Sequence, residues 1–321
     1  MAGGRSVLVL CSDELAGAIP LADVVDAVER AYLLAGSGGL EELPRVGVHP
    51  EGSATFLHVM PAVAPGAGVA GAHVYTGGNR GRDVVQKVTL VFGTDDGGLR
   101  AIIESNWLSW ARTGATGAVA ARRLARPDAR ILGLIGAGRQ ARAALELMAA
   151  ARPLDGAYVF SRDPGHRRDF AAAMRASTGL PVDALDSADE VVGRSDIVVT
   201  TTTAHAPVFT AASLHPGLHI NAIGAHYPDR REIDGPTVAR SRLFADDPAR
   251  SRLEDGEVAL AVEEGQLRPD PPLVGLAEVV SGTDPGRRSD EEVTLFLSGG
   301  SAGEYLAVAA AAVDGAERLG L

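Results

Sequence analysis

The sequence predicts an α/β protein: a doubly wound parallel sheet of Rossmann type, plus an α+β N-terminal domain joined by a helix that returns from the C-terminus. Three observations carry this. Up to about residue 105, short β-like runs alternate with Gly/Pro/Asp clusters such as Pro65-Gly66 and Asp95-Asp96-Gly97-Gly98, which read as turns. From Ile131 onward, continuous apolar strands alternate with helical stretches, as in a sheet buried on both faces. At the junction, Ile131 to Ala141 reads strand, G-x-G-x-x-A, helix.

In the first half the β-like runs are 6–11, 54–60, 68–76, 84–92 and 99–104, a pattern that suits a mostly antiparallel sheet. One helix, 21–35, carries Val24, Val25, Val28, Tyr32 and Leu33 at helical spacing. A linking helix follows at 107–124, rich in small residues. The second half offers the strand 131–135, a helix at 140–151, the strand 157–160 and a helix at 165–176. Further strands are expected at 197–201, 218–223 and 292–297. The last helix, 301–318, is apolar along one side and is expected to pack back on the first domain. The domains then run 1–115 with 298–321 for substrate and dimer contacts, and 116–297 for a dinucleotide.

Composition narrows the classes. At 321 residues and 46% hydrophobic the chain can bury a full core without staples, and its single cysteine, Cys11, excludes a disulfide scaffold. A net charge of −11 disfavours nucleic acid and anionic lipid as partners. No run reaches the roughly 18 apolar residues of a membrane span, and the first apolar run is too short for a signal peptide. The expectation is a cytoplasmic protein that binds a small molecule. Lys87 is the only lysine among 30 basic residues, so any chemistry needing a lysine amine falls to it.

The Gly turn is the most informative stretch. Gly136 permits the tight turn, Gly138 lets the backbone approach a pyrophosphate, and Ala141 allows close helix–strand packing. The helix beginning at Arg139 and Gln140 offers N–H groups and positive partial charge. At the tip of the second strand stand Ser161 and Arg162, a cation suited to a 2′-phosphate, while Asp163 falls two residues late for a ribose hydroxyl. NADP(H) is therefore favoured over NAD(H). Thr201 and Ile223, at the ends of two later strands, join the expected cofactor set.

Two arginines in apolar surroundings, Arg45 after Pro44 and Arg112 on the small-residue helix, suit a bidentate carboxylate clamp. His226 lies just past the carboxyl end of a parallel strand, where open α/β sheets place ligands, and suits acid/base work. His73 lies within a strand. His49, His58, His205, His215 and His219 show no ligand spacing, so no metal site is expected.

These segments together resemble the ornithine cyclodeaminase/μ-crystallin family. The resemblance rests on Pro44-Arg45, Gly71 to Asn79, Trp110 to Ala115, Gly133 to Ala141 and Asn221 to Ala225, and runs in order over most of the chain. It implies a homodimer with an inserted Rossmann domain and a nicotinamide cofactor. Arg45 and Arg112 match the family's substrate-carboxylate arginines, and Thr113 matches a neighbour of the cofactor phosphates. Two positions depart: His73 stands where lysine is usual, and His226 where aspartate is usual. Lys87 follows Gln86 on a strand and faces opposite to it, so Gln86 is expected to match the family pattern and Lys87 not to replace the missing lysine.

Losing a carboxylate beside a substrate ammonium removes about 4 kcal/mol at 4 Å and an effective dielectric of 20, which speaks against cyclodeamination. The expected activity is NAD(P)-dependent reduction of C=N or C=O in a small carboxylate-bearing metabolite, or the reverse oxidation. In it Arg45 and Arg112 hold the carboxylate, His226 moves the proton, and His73 polarises or orients the reacting group. The alternatives are a lyase that recycles its cofactor and an NADPH-dependent binding protein.

Overall fold

The computed structural model describes residues 6–77, 85–224 and 227–320, so His226 lies outside the described residues. The chain divides into two compact units, Met1–Arg112 with Ser301–Leu321, and Thr113–Gly300.

The first unit opens with β1 (Leu8–Leu10), α1 (Ser12–Ala18) and α2 (Leu21–Gly36). The α2 helix buries Val24, Val25, Val28, Ala31 and Tyr32, the stripe that its i, i+3/i+4 spacing dictates. Then come β2 (Glu41–Glu42), β3 (Val46–Val48), β4 (Phe56–Ala64), β5 (Val69–Gly77), β6 (Gln86–Gly93) and β7 (Leu99–Glu104). They join in the order β1-β7-β6-β5-β4-β2, with β3 also on β4. All pairs are antiparallel except β1 with β7.

The β4 strand continues past Pro61, where the sequence suggests a stop. The Pro61 carbonyl accepts from the Leu43 N–H (3.3 Å), on the side where the pairings of β2 and β3 leave a gap. In an extended strand the absent N–H points the same way, so the ladder to β5 loses nothing.

Helix α3 (Asn106–Leu124) leads into the second unit, which the sequence pattern outlines well at its start: β8 (Ile131–Ile135), α4 (Arg139–Ala151), β9 (Gly156–Phe160) and α5 (Pro164–Thr178). After these come β10 (Val182–Ala184), α6 (Ala188–Arg194), β11 (Ile197–Thr200) and β12 (His219–Ala222). The remainder is α7 (Gly235–Arg240), β13 (Arg242–Ala245), α8 (Pro248–Glu254), α9 (Gly256–Glu263), β14 (Leu273–Gly275), α10 (Leu276–Val280) and β15 (Thr294–Leu297). Among the described residues the sheet has the order β10-β9-β8-β11-β12-β15-β13-β14, parallel throughout. Strands β11, β12 and β15 are buried at every residue, and the polar residues among them, such as His219 and Asn221, are hydrogen-bonded. The winding reverses between β8 and β11, and such a switch point is where open α/β sheets bind ligands.

The chain ends in α11 (Ala302–Leu319), which belongs to the first unit and packs on α2, β4, β5 and β6. Its approach to the sheet is close: a Cβ on Gly71 of β5 would lie 2.8 Å from Leu306 Cδ1. Among the described residues no helix is long and apolar enough to cross a membrane.

Candidate active site

In the first unit the alternation of β5 turns His73 and Tyr75 to one face of the sheet. Ser301 caps α11 by accepting the Glu304 N–H (3.4 Å), and this first turn brings Glu304 and Tyr305 to the site. The His73 and Tyr305 rings stack with centroids 3.6 Å apart and planes 8° apart. Arg112, from α3, places its Cζ 4.5 Å from the Tyr305 centroid. Its Nη2 donates to Tyr305 Oη (3.1 Å) and its Nη1 to Glu304 Oε2 (2.9 Å). The Tyr32 hydroxyl donates to the other Glu304 oxygen. Burial works against the Arg112 cation, but Tyr305 and Glu304 outweigh it and raise its pKa. Arg112 is thus a fixed cation that already shares its charge with an internal carboxylate.

A hydroxyl relay sets the state of His73. The Ser105 hydroxyl donates to the Ile103 carbonyl (3.0 Å), which can only accept. Thr89 must then donate to Ser105 Oγ (2.8 Å), and His73 Nδ1 must carry the proton that reaches Thr89 Oγ1 (3.0 Å). Nε2 is left as a bare acceptor, buried and without a hydrogen-bond partner. Burial first, then the Arg112 and Lys87 cations, push His73 down to about 2. His73 can orient a donor, but it holds no proton on Nε2 to lend.

Arg45 is half-buried, and its Nη1 lies 3.3 Å from Tyr75 Oη. Strand register revises the expectation for Lys87. It does face away from Gln86, but it lies opposite Tyr75, two pairs along from His73 and Thr89. Residues opposite one another share a face, so Lys87, half-buried, is on the His73 side, while Gln86 is exposed on the reverse. Alternation alone sets Lys87 and Gln86 on opposite faces; the pairing with β5 decides which of them lies on the His73 side. His58, opposite Tyr75 on the other strand, meets His49 with their Nε2 atoms 2.7 Å apart.

In the second unit β8 ends at the Gly turn. Gly136 has φ +117°, and a Cβ there would lie 2.5 Å from Thr201 Oγ1, so two separate constraints demand glycine. Its N–H donates to the Phe160 carbonyl (2.9 Å). Gly138 differs. Its φ of −91° and ψ of −170° suit any residue, and a Cβ there would meet no protein atom within 4 Å. It opens α4, whose N-terminus carries no side-chain cap, and Ala141 is fully buried under it. A glycine that the protein itself does not need, at an uncapped helix start, fits a cradle kept clear for a pyrophosphate.

Thr201 donates its N–H to the Ile135 carbonyl (2.9 Å) and lies beside the turn, while Ile223, buried, donates to the Thr200 carbonyl (3.1 Å) one strand further along. Thr113 is buried at the start of the unit. Beyond β9, the Ser161 hydroxyl donates to the Asp163 carbonyl (3.2 Å). Asp163 caps α5 by accepting the His166 N–H (2.9 Å), while Arg162 is exposed. Arg167, which the sequence reading missed, donates to the Ser161 carbonyl (2.9 Å) and pairs with Asp186. His219 is a satisfied structural histidine, bonded to Thr294 Oγ1 (2.9 Å) and Asn221 Oδ1 (3.0 Å).

Three buried carboxylates were also missed. Glu232 accepts from the Thr202 N–H (2.6 Å), the Thr200 hydroxyl (2.8 Å) and the Gly224 N–H (2.7 Å), tying together the loops after β11 and β12. A Cβ on Gly224 would lie 2.6 Å from its carboxylate oxygens. Glu257 accepts the Glu232 N–H (2.9 Å). Glu257 Oε2 and Asp255 Oδ2 are buried without a hydrogen-bond partner. Burial pushes Glu257 up to about 8 and Asp255 up to about 7.

A folded pKa above the unfolded one means that the native state binds more protons, so this contribution to stability is lost as pH rises toward about 8. His73 and His219, held down to about 2 and about 3, act in the opposite sense and cost stability below about pH 6.5. Between about pH 4.5 and 6.5 the two effects offset, so stability to denaturant is expected to show a broad maximum there and to fall toward about pH 8. Glu257→Gln should make the alkaline limb shallower and end it near pH 7, where the Asp255 contribution stops; an unchanged limb would remove Glu257 as one of its sources.

The family model described as "Ornithine cyclodeaminase/mu-crystallin family" matches residues 6–318. A Delta(1)-pyrroline-2-carboxylate reductase of Bacillus cereus is 32% identical over 249 residues, 76% of each chain. An alanine dehydrogenase of Archaeoglobus fulgidus is 32% identical over 306 residues, covering 94% of this chain and 92% of that one. Among solved structures, Thermococcus litoralis Delta(1)-pyrroline-2-carboxylate reductase in complex with NADH and L-proline superposes with a TM-score of 0.91. It is 31% identical and covers 98% of this chain and 99% of its own.

Proposed function

Since this chain belongs to the ornithine cyclodeaminase/mu-crystallin family, we propose a division of labour in which the first unit takes the substrate carboxylate and the second the dinucleotide. The enzyme is a nicotinamide-dependent oxidoreductase acting on the C=N or C=O of a small carboxylate-bearing metabolite, or on the amine or alcohol in reverse. The open space at Gly138, at the start of an uncapped helix, is the observation that carries the reading.

When bound, the nicotinamide supplies or accepts the hydride. Gly136, Gly138, Arg139, Gln140 and Ala141 hold its diphosphate, with Thr113, Thr201 and Ile223 beside them. Ser161 and Arg162 take the adenosine ribose. Because Asp163 is engaged in capping α5 and Arg162 is exposed, NADP(H) is favoured over NAD(H). Arg45 and Arg112 hold the carboxylate. His73 accepts a hydrogen bond from the reacting group at Nε2 and keeps its own proton on Nδ1, donated to Thr89. The proton that completes reduction is assigned to His226 on the sequence grounds given above, since His73 has none to give.

A homodimer is the proposed assembly. The sheet face turned away from α11 carries Val9, Val46, Val48, Leu57 and Val63, all at least 42% exposed, and a contiguous apolar face of this kind marks an interface. Cys11 is exposed and unpaired in the chain, which suits a reducing cytoplasm.

The test is consumption of NADPH or NADH with Delta(1)-pyrroline-2-carboxylate, and with 2-keto acids with and without added amine. Turnover is expected with at least one carboxylate-bearing acceptor and with none of the corresponding amides. His226→Ala should stop turnover and leave dinucleotide affinity unchanged. Absence of both turnover and dinucleotide binding would overturn the reading.

A further inference from the structure

We propose that Lys87 is a substrate-binding residue, its ammonium group supplying a cation for the anionic group of the substrate beside His73 and Tyr75. The inference rests on the reading of this sheet face as the carboxylate site.

Register comes first. Lys87 on β6 pairs with Tyr75 on β5, and His73 pairs with Thr89 two residues along, so Lys87, Tyr75 and His73 share one face. Directly opposed residues hold their Cβ atoms about 4.5–5.5 Å apart, and diagonal neighbours remain within reach of a long side chain. Tyr75 in turn meets Arg45 at 3.3 Å and the His73 ring at 5.6 Å between centroids. Arg45 and Lys87 therefore reach the same tyrosine, from its hydroxyl and from its neighbouring strand.

Charge comes second. Arg112 gives part of its charge to Glu304, whose side chain is 1% exposed, and that pair is fixed by Tyr32 and Tyr305. His73 is neutral and contributes none. The Lys87 ammonium is felt at His73, where it helps to disfavour the imidazolium. Lys87, half-buried on a face shared with His58, His73 and Tyr75, can give an arriving anion a charge-assisted hydrogen bond where water is partly excluded. Lysine also suits the task mechanically, being a compact charge on a flexible stem that can follow a ligand, whereas the Arg112 fork is held in place.

Lys87 is the only lysine in the chain, which makes the test specific. The probe is pyrrole-2-carboxylate, a planar anion, with pyrrole-2-carboxamide as its uncharged control, both titrated into the full-length protein saturated with NADH. Lys87→Met is expected to weaken the carboxylate by about tenfold or more, as for loss of a charged hydrogen bond. It should leave the carboxamide and NADH affinities unchanged, and Lys87→Arg should recover part of the loss. Arg45→Met serves as the reference. If it weakens the carboxylate and Lys87→Met does not, the proposal fails and the functional reading stands. If neither variant weakens it, both fail. Should Lys87→Met not fold, the unaltered protein decides by acylation of the Lys87 side-chain amine, followed by peptide mass spectrometry. Pyrrole-2-carboxylate is expected to slow that reaction about tenfold relative to the carboxamide, and equal rates would overturn the proposal.

Discussion

Gly138→Val is expected to fold like the parent and to lose nicotinamide dinucleotide. The backbone at Gly138 already lies in the extended region that valine prefers, and a Cβ there meets no protein atom within 4 Å. Removing a glycine from a compatible position reduces the freedom of the unfolded chain by about 0.4–1 kcal/mol, and valine is a poorer N-cap than glycine by a similar amount, so stability should stay within about 1 kcal/mol of the parent. The new methyl groups would occupy the space at the start of α4 into which a diphosphate must come to meet the backbone amides. A hundredfold loss of affinity corresponds to about 2.8 kcal/mol, and a loss of at least about that size is expected. Denaturant midpoints and calorimetric titration with NADPH and NADH give the two readings. Parent-like affinity in a folded valine variant would mean that no phosphate uses this turn. Gly136→Val cannot serve in its place. It combines a φ of +117° with a contact 2.5 Å from Thr201 Oγ1, so a loss of binding there would report damage to the fold as much as to the site.

The contrast between these two glycines shows what was legible in the sequence. The strand–turn–helix around Gly136 was readable because each residue type there answers a local constraint: a left-handed turn, an uncapped helix start, a close packing contact at Ala141. The parallel strands β8 and β11 were readable because burial on both faces leaves runs that are almost wholly apolar. Short elements were not. Strands β10, β13 and β14 have three or four residues each, too few for a periodicity to declare itself. The site in the first unit was readable residue by residue and unreadable as a set. Arg45, His73 and Arg112 stand out as types, but what joins them is Tyr75 and Tyr305, and Tyr305 lies 193 positions from Arg112. Alternation showed that Lys87 and Gln86 point opposite ways. Only the pairing of β5 with β6 says which of them faces His73, because a one-residue slip would exchange them. Glu232 gave no signal, since an acidic residue following two arginines reads as solvated surface until its three hydrogen-bond donors are seen.

Arg112→Met is expected to cost about 3–5 kcal/mol of stability, the range for removing one partner of a buried ion pair. The cost falls on Glu304. Its side chain is 1% exposed, and without the guanidinium at 2.9 Å it keeps its charge in the interior or takes up a proton to lose it. Glu304→Leu should be similarly destabilising for the converse reason, leaving Arg112 as a buried cation whose strongest counter-charge is gone. The double variant Arg112→Met/Glu304→Leu is expected to recover most of the loss, since replacing a buried pair by apolar groups of similar size is often close to neutral. A double-mutant cycle by chemical denaturation measures this, and single variants within about 1 kcal/mol of the parent would show that the pair is not coupled. The same double variant separates two roles that either single change would confuse. It should be folded and still bind dinucleotide, since Gly136 to Ala141 belong to the other unit. If Arg112 holds the substrate as well as Glu304, kcat/KM for a carboxylate substrate should fall by about a hundredfold, or about 2.8 kcal/mol of transition-state stabilisation. If it serves the fold alone, activity should return together with stability.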